Sequence, residues 1–149
     1  MDAYKLYKLS RKCYLKGNKL LAKIIAKFNG LIRNSYIPYS ADIGEGSKFG
    51  YGSIGVVIHH NSKIGKNCTI GPNCTIGGRT GHGGPPVIGD NVFIGPGARL
   101  LGGFTVGNDV VIGANAVVIS DVPDNCVVAG VPARIIHTDI RKWKEQGVI

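Results

Sequence analysis

Large aliphatic residues recur along most of this chain at intervals of six. They run Ile58, Ile64, Ile70 and Ile76, then resume as Ile88, Ile94, Leu100, Val106, Ile112 and Val118. Four positions after each anchor stands a small or compact residue: Ser62, Cys68, Cys74 and Thr80, then Val92, Ala98, Val110, Ala116 and Val122, with Phe104 the bulky exception. Gly follows most anchors directly, as at Gly65, Gly71, Gly77, Gly89, Gly95, Gly107 and Gly113, and the register extends upstream through Ile37, Ile43 and Phe49. A helix returns apolar side chains every 3.6 residues and a strand every two, so a period of six fits neither alone. It fits a coil of short strands, each sending one aliphatic inward before a tight corner, with coils paired in parallel about 4.8 Å apart. On this reading the glycines relieve the backbone where it turns, and Cys68 and Cys74 are inward, structural thiols.

Two interruptions break the period. Phe49 to Ile58 is three residues too long and contains Gly52, Ser53 and Gly55. Between Ile76 and Ile88 no aliphatic anchor occurs, which predicts a loop over residues 79–87 that leaves the coil. Loops on solenoids tolerate insertion and often carry function. The chain thus divides into a helical segment 1–36, a coil 37–136 and a tail 137–149, with a short closing helix expected around Trp143.

Residues 1–36 follow a different rule. Leu20, Leu21, Ile24, Ile25, Phe28, Leu31 and Ile32 fall at helical spacing among lysines, and Gly17-Asn18 predicts a break into two helices. Such an amphipathic segment reads first as a cap on the first coil or on a neighbouring subunit. Its second reading is a basic helix touching an anionic membrane surface.

Charge follows the same division. Residues 1–33 hold nine Lys/Arg against Asp2, a net of +8, while residues 34–149 carry nine against eight acids, a net of +1. The basic balance belongs to the helical segment, which disfavours a general nucleic-acid binder. A composition of 44% hydrophobic and 18% charged residues excludes a disordered chain. No apolar run reaches the length of a transmembrane helix and no secretory leader is evident, so a cytoplasmic location is expected. Four cysteines without a C-x-x-C pair predict buried thiols rather than a disulfide framework.

The repeated pattern of large aliphatic, Gly, two variable positions and a small residue resembles the hexapeptide-repeat acyltransferases. The stretch 118–125 (VISDVPDN) and the stretch 129–136 (AGVPARII) resemble the terminal signature of the acetyl-CoA-using branch. Within that branch the chain is most similar to serine acetyltransferases and their polysaccharide-locus relatives. The resemblance implies an all-β solenoid, a left-handed parallel β-helix with three hexads per coil. It also implies a homotrimer with active sites between subunits, acetyl-CoA as acyl donor, and no metal.

Acyl transfer to a hydroxyl needs a base near neutral pKa and donors for the oxyanion. His60, two residues after the anchor Ile58, occupies the hexad position where the resemblance implies the catalytic His. Eighteen residues on it stacks beneath Gly78, near the Gly77-Gly78 backbone and His82. His82, on the glycine-rich loop, is the second candidate, since xenobiotic acetyltransferases carry their base on such a loop. His59 and Asn61 are expected to support, and His137 is expected to be surface. For the cofactor, the resemblance assigns backbone contacts to Gly95, Gly113 and Ala114, and a phosphate contact to Arg134. Ser120 stands where several relatives have a cation.

Two departures bear on the acceptor. Serine acetyltransferases have an Asp-His pair where this chain aligns Gly50-Tyr51, and a second His where it aligns Pro85. Both losses favour a different hydroxyl acceptor, that of a sugar or polysaccharide precursor, over serine with a relocated site. A non-catalytic trimeric scaffold is the rival from another class. A zinc site of the γ-type carbonic anhydrase kind is disfavoured because the adjacent His59 and His60 are expected to point to different sides.

Overall fold

The computed structural model describes residues 2–145. Two helices open the chain, α1 (Ala3–Leu15) and α2 (Lys19–Arg33). The break between them is made by Gly17, at φ 85°, and by Asn18, whose side chain caps α2 by accepting from the Leu21 N–H. There follow fourteen short strands. These are β1 (Asp42–Ile43), β2 (Lys48–Phe49), β3 (Val57–Ile58), β4 (Lys63–Ile64), β5 (Thr69–Ile70), β6 (Thr75–Gly77) and β7 (Val87–Ile88). The upper half comprises β8 (Phe93–Ile94), β9 (Arg99–Leu101), β10 (Thr105–Val106), β11 (Val111–Ile112), β12 (Val117–Val118), β13 (Val127–Gly130) and β14 (Ala133–His137). A closing turn of helix, α3 (Arg141–Glu145), ends the described chain; Gln146 and the rest of the tail, like the Trp143 side chain, lie outside the described residues.

From β1 to β12 every third strand pairs in parallel, so the coil has three faces; β13 then joins beside β11, and β14 returns antiparallel on β13. Strands β3, β6, β9 and β12 form one, β1, β4, β7 and β10 the second, and β2, β5, β8, β11, β13 and β14 the third. Register measures the coil directly. Ile58 pairs with Ile76 and Leu100 with Val118, one undisturbed turn of three hexads each. Ile43 pairs with Ile64 across the three-residue insertion, and Ile76 with Leu100 across the six-residue loop. Both insertions are absorbed at corners, leaving the ladder intact. The anchors Ile58, Ile70, Ile76, Ile94, Leu100, Val106 and Ile112 are fully buried. Each contributes on the order of 2 kcal/mol by leaving water.

The structure corrects three details of the repeat. Thr80 is exposed, and Pro86 fills the inward slot of its turn, because the loop leaves the coil before Thr80 and returns at Pro86. Val122 bridges to Val106 as an anchor of the second face, so the last turn is two residues short and Cys126 takes the small slot. The glycines after the anchors are not left-handed either. The left-handed corner residue stands three after the anchor, at Gly46, Asn67, Asn73, Asn91, Gly97, Asp109 and Asn115. Gly65 is required by proximity instead: a Cβ there would stand 2.4 Å from the Gly89 carbonyl oxygen of the next turn.

The helices also differ from the simplest cap. Helix α1 docks on the first coil through Ala3 and Tyr7, whose hydroxyl donates to the Ala41 carbonyl (2.7 Å) and accepts from the Ile43 N–H (3.0 Å). Burial pushes the Tyr7 phenol up to about 12. Helix α2 does not lay its apolar stripe on the first coil. Its small residues Ala22 and Ala26, with Asn29 and Gly30, lie on the covered side, and Leu20, Ile24, Phe28 and Leu31 are exposed. Asn29 supplies the reason, since its amide donates to the Ala3 carbonyl (3.2 Å) and the small residues allow close approach to α1.

If proximity, not φ, dictates the glycines, Gly65→Ala destabilises the protein by about 2 kcal/mol through overpacking. Asn67→Gly at the left-handed corner costs less than about 1 kcal/mol. Urea denaturation of the two variants gives the order directly.

Candidate active site

The register that stacks the anchors also stacks the residues two places beyond them. His60, Gly78, Gly102 and Ser120 follow Ile58, Ile76, Leu100 and Val118, which pair with one another in succession. They form one column at the corner between the first and second faces. At about 4.8 Å per turn, the column runs roughly 14 Å from His60 to Ser120.

His60 stands exposed at the foot of this column. Its backbone is held by the Ser40 hydroxyl, which donates to the His60 carbonyl (3.0 Å). Its ring stacks on that of His59, centroids 4.2 Å apart, correcting the expectation that the two point to different sides. The His59 Nδ1 accepts from the Asn61 N–H (3.1 Å), which in the neutral ring leaves the proton on Nε2. His59 is thereby committed to holding the turn, with Asn61 as its partner, while no ring nitrogen of His60 is engaged among the described residues. One turn above, the Gly78 N–H is likewise unengaged, and the Gly77 carbonyl accepts from the Gly102 N–H (3.0 Å).

The loop sets the His82 backbone on a higher turn than that of His60. Its chain folds upward: the His82 carbonyl accepts from the Gly103 N–H (2.6 Å), and the His82 Cβ lies 3.5 Å from the place a Cβ on Gly102 would occupy. His82 therefore stands two turns above His60, about 10 Å along the column. The physical reason is hydrogen bonding, since the excursion satisfies its carbonyl on the next coil. Arg79, the first residue of the loop, packs beside Gly102 as well, and its Nε is buried without a partner among the described residues. The sequence offered no signal for Arg79 beyond its position at the loop's edge.

The cofactor candidates fall in two places. Gly95 and Ala114 stack at the corner leaving the third face, where a Cβ on Gly95 would stand 2.6 Å from the Ala114 nitrogen. The Gly95 and Gly113 N–H groups are spent on the coil ladder, donating to the Ile112 and Val128 carbonyls at 2.8 Å each, which leaves the Ala114 N–H unengaged. Ser120 and Arg134 meet at the head of the column, lining a cleft of about 380 Å³ with Asp121. The Asp121 carboxylate accepts from the Thr105 N–H (2.8 Å), so its charge is partly offset. The Arg134 guanidinium is exposed and, among the described residues, donates only to the Ala133 carbonyl (3.0 Å).

Tyr51 is a further feature at the three-residue insertion. It is 86% exposed with a left-handed backbone (φ 47°), an unusual conformation for a bulky residue. The thiols are elsewhere: Cys68 and Cys74 point into the coil and donate to the Gly89 and Gly95 carbonyls (3.2 Å each). Burial raises both, and Cys126 also, away from the thiolate. Cys13, in α1, is half-buried. Among the described residues no group of three His, Cys, Asp or Glu could hold a metal ion.

A parallel solenoid built of hexads, with His60 at one end of a corner column and Arg134 beside Asp121 in a cleft at the other, can be set beside known proteins. The family described as bacterial transferase hexapeptide (six repeats) matches residues 53–78 and 85–120. A serine acetyltransferase of Staphylococcus xylosus is 37% identical over 90% of this chain and 62% of its own length. One of Helicobacter pylori is 36% identical over 89% of this chain and 78% of its own. The crystal structure of the Brucella abortus serine acetyltransferase with coenzyme A superposes with a TM-score of 0.85 at 33% identity, covering 92% of this chain and 55% of that one. The chain belongs to the serine acetyltransferase family of hexapeptide transferases, and its coil is their left-handed parallel β-helix. It spans less than two thirds of the length of several of these relatives.

The placement of the thiols is open to a direct check. Titrated with a disulfide reagent at pH 8, Cys13 reacts first, and Cys68, Cys74 and Cys126 react only as the protein unfolds. Rapid labelling of Cys68 or Cys74 in the native protein would contradict their inward position.

Proposed function

We propose that this protein transfers an acetyl group from acetyl-CoA to the hydroxyl of a small acceptor, with His60 as general base. His60 takes the acceptor's proton as its oxygen attacks the thioester carbonyl. The Gly78 N–H, one turn above, stabilises the oxyanion, after which the C–S bond breaks and the CoA thiolate takes up a proton. The observation that carries this reading is the single column joining exposed His60 to the cleft of Ser120 and Arg134. A pantetheine arm is comparable to four extended residues of about 3.5 Å each. It therefore has the length to lie along that column with its phosphates at Arg134. A homotrimer, as in the family, would close the column with a neighbouring face. Gly95, Gly113 and Ala114 lie at another corner and would serve the cofactor of an adjacent subunit.

The acceptor is read from what replaces the family's histidines. Gly50-Tyr51 and Pro85, aligned where serine acetyltransferases have an Asp-His pair and a second His, support an acceptor other than serine. The exposed ring of Tyr51 offers instead a flat apolar face and a hydroxyl, surfaces suited to a sugar. We therefore infer a sugar hydroxyl as acceptor. Serine is the second reading, favoured by the Staphylococcus xylosus and Helicobacter pylori relatives, which are named serine acetyltransferases.

Thiol release from acetyl-CoA, measured against serine, nucleotide sugars and short glycans, separates these readings. Turnover on a sugar that falls about 10³-fold in His60→Ala and little in His82→Ala is the expected result. Loss in His82→Ala alone would move the base to the loop. Turnover on serine alone would restore serine as the acceptor, and failure to bind acetyl-CoA would leave a non-catalytic scaffold.

A further inference from the structure

Among the described residues, nothing covers the outward face of α2. At about 100° per residue, Leu20, Leu21, Ile24, Phe28, Leu31 and Ile32 occupy one arc of roughly 120°. Leu20 is 72% exposed, Phe28 54% and Leu31 74%. A surface helix ordinarily turns such an arc inward; here the small residues face α1 and the large ones face solvent. Lys19, Lys23 and Lys27 line one edge of the arc as a single row. Among the described residues none of them makes an ion pair. Beside that row a groove of about 690 Å³ is lined by Lys23, Lys27, Leu31, Tyr36, Tyr39 and Val57.

We propose that this face docks the protein on an anionic lipid bilayer. Charge selects this occupant. Asp2 is the only acid in residues 1–33, so a second copy of the same face would set lysine against lysine. A bilayer surface satisfies both halves of the pattern: the apolar arc enters the boundary between headgroups and acyl chains, and the lysine row reaches lipid phosphates. The groove beside the row gives one headgroup or chain end a place to lodge. No helix among the described residues is long and apolar enough to cross a membrane, so the contact is peripheral. It rests on α2 alone and is independent of the chemistry at His60.

The test is co-sedimentation of the full chain with vesicles of phosphatidylcholine containing about one quarter phosphatidylglycerol, beside vesicles of phosphatidylcholine alone. The protein pellets with the anionic vesicles, and binding falls about tenfold or more in Leu20→Ser/Ile24→Ser/Phe28→Ser and in Lys23→Glu/Lys27→Glu. Both variants alter exposed positions, and circular dichroism and sedimentation mass verify that each remains folded. Equal binding to neutral vesicles overturns the proposal, as does no binding by the unaltered chain. A fall in oligomeric mass in the serine variant, with vesicle binding unchanged, would assign the face to a second copy instead.

Discussion

Everything in this structure depends on the backbone hydrogen bonds between successive coils. Each turn donates to and accepts from the next at one fixed spacing, from the Val57 N–H on the Cys74 carbonyl to the Gly113 N–H on the Val128 carbonyl. A fixed spacing leaves no room for a Cβ where two corners nearly touch, hence the glycine column through Gly65 and Gly89. It also forces extra residues outward at corners, because a strand lengthened within a face would break pairing on both sides. The insertion at Tyr51 and the loop after Gly78 are therefore where the chain can carry anything beyond the repeat.

The same constraint shapes the site. With most coil N–H groups spent in the ladder, chemistry must come from corner side chains and from the few free amides. Stacking then aligns these groups without any further design, since residues two past the anchors are placed above one another by the pairing of the anchors themselves. On the function proposed above, a histidine at the foot and a cation at the head of one column would match a donor with a thioester at one end and phosphates at the other. The inward thiols of Cys68 and Cys74 are buried in the coil, away from this corner, and burial raises both.

Much of this was legible from the six-residue period. Its anchors are the core, while the three faces follow from the three hexads per turn that the family resemblance implied. What the period hid was the cause of each small residue. Gly65 and Asn67 both look like turn residues, yet one answers to a neighbouring carbonyl and the other to a left-handed φ. Periodicity also gives α2 an apolar stripe without a direction, and only the Asn29 amide and the small residues against α1 turn that stripe outward. The loop was legible as a loop, but not its upward fold, because that depends on one hydrogen bond between His82 and Gly103 distant in sequence. The free Gly78 amide and the buried Arg79 Nε had no signature at all.

The claim that most needs testing is that the column from His60 to Ser120 is the working surface. Amide hydrogen exchange with and without coenzyme A reads it directly. The account predicts slowed exchange on binding in residues 59–61, 78–84, 102–103 and 119–122, along one corner of the coil. Protection confined to residues 95–97 and 113–115, with the His60 corner unchanged, would contradict it.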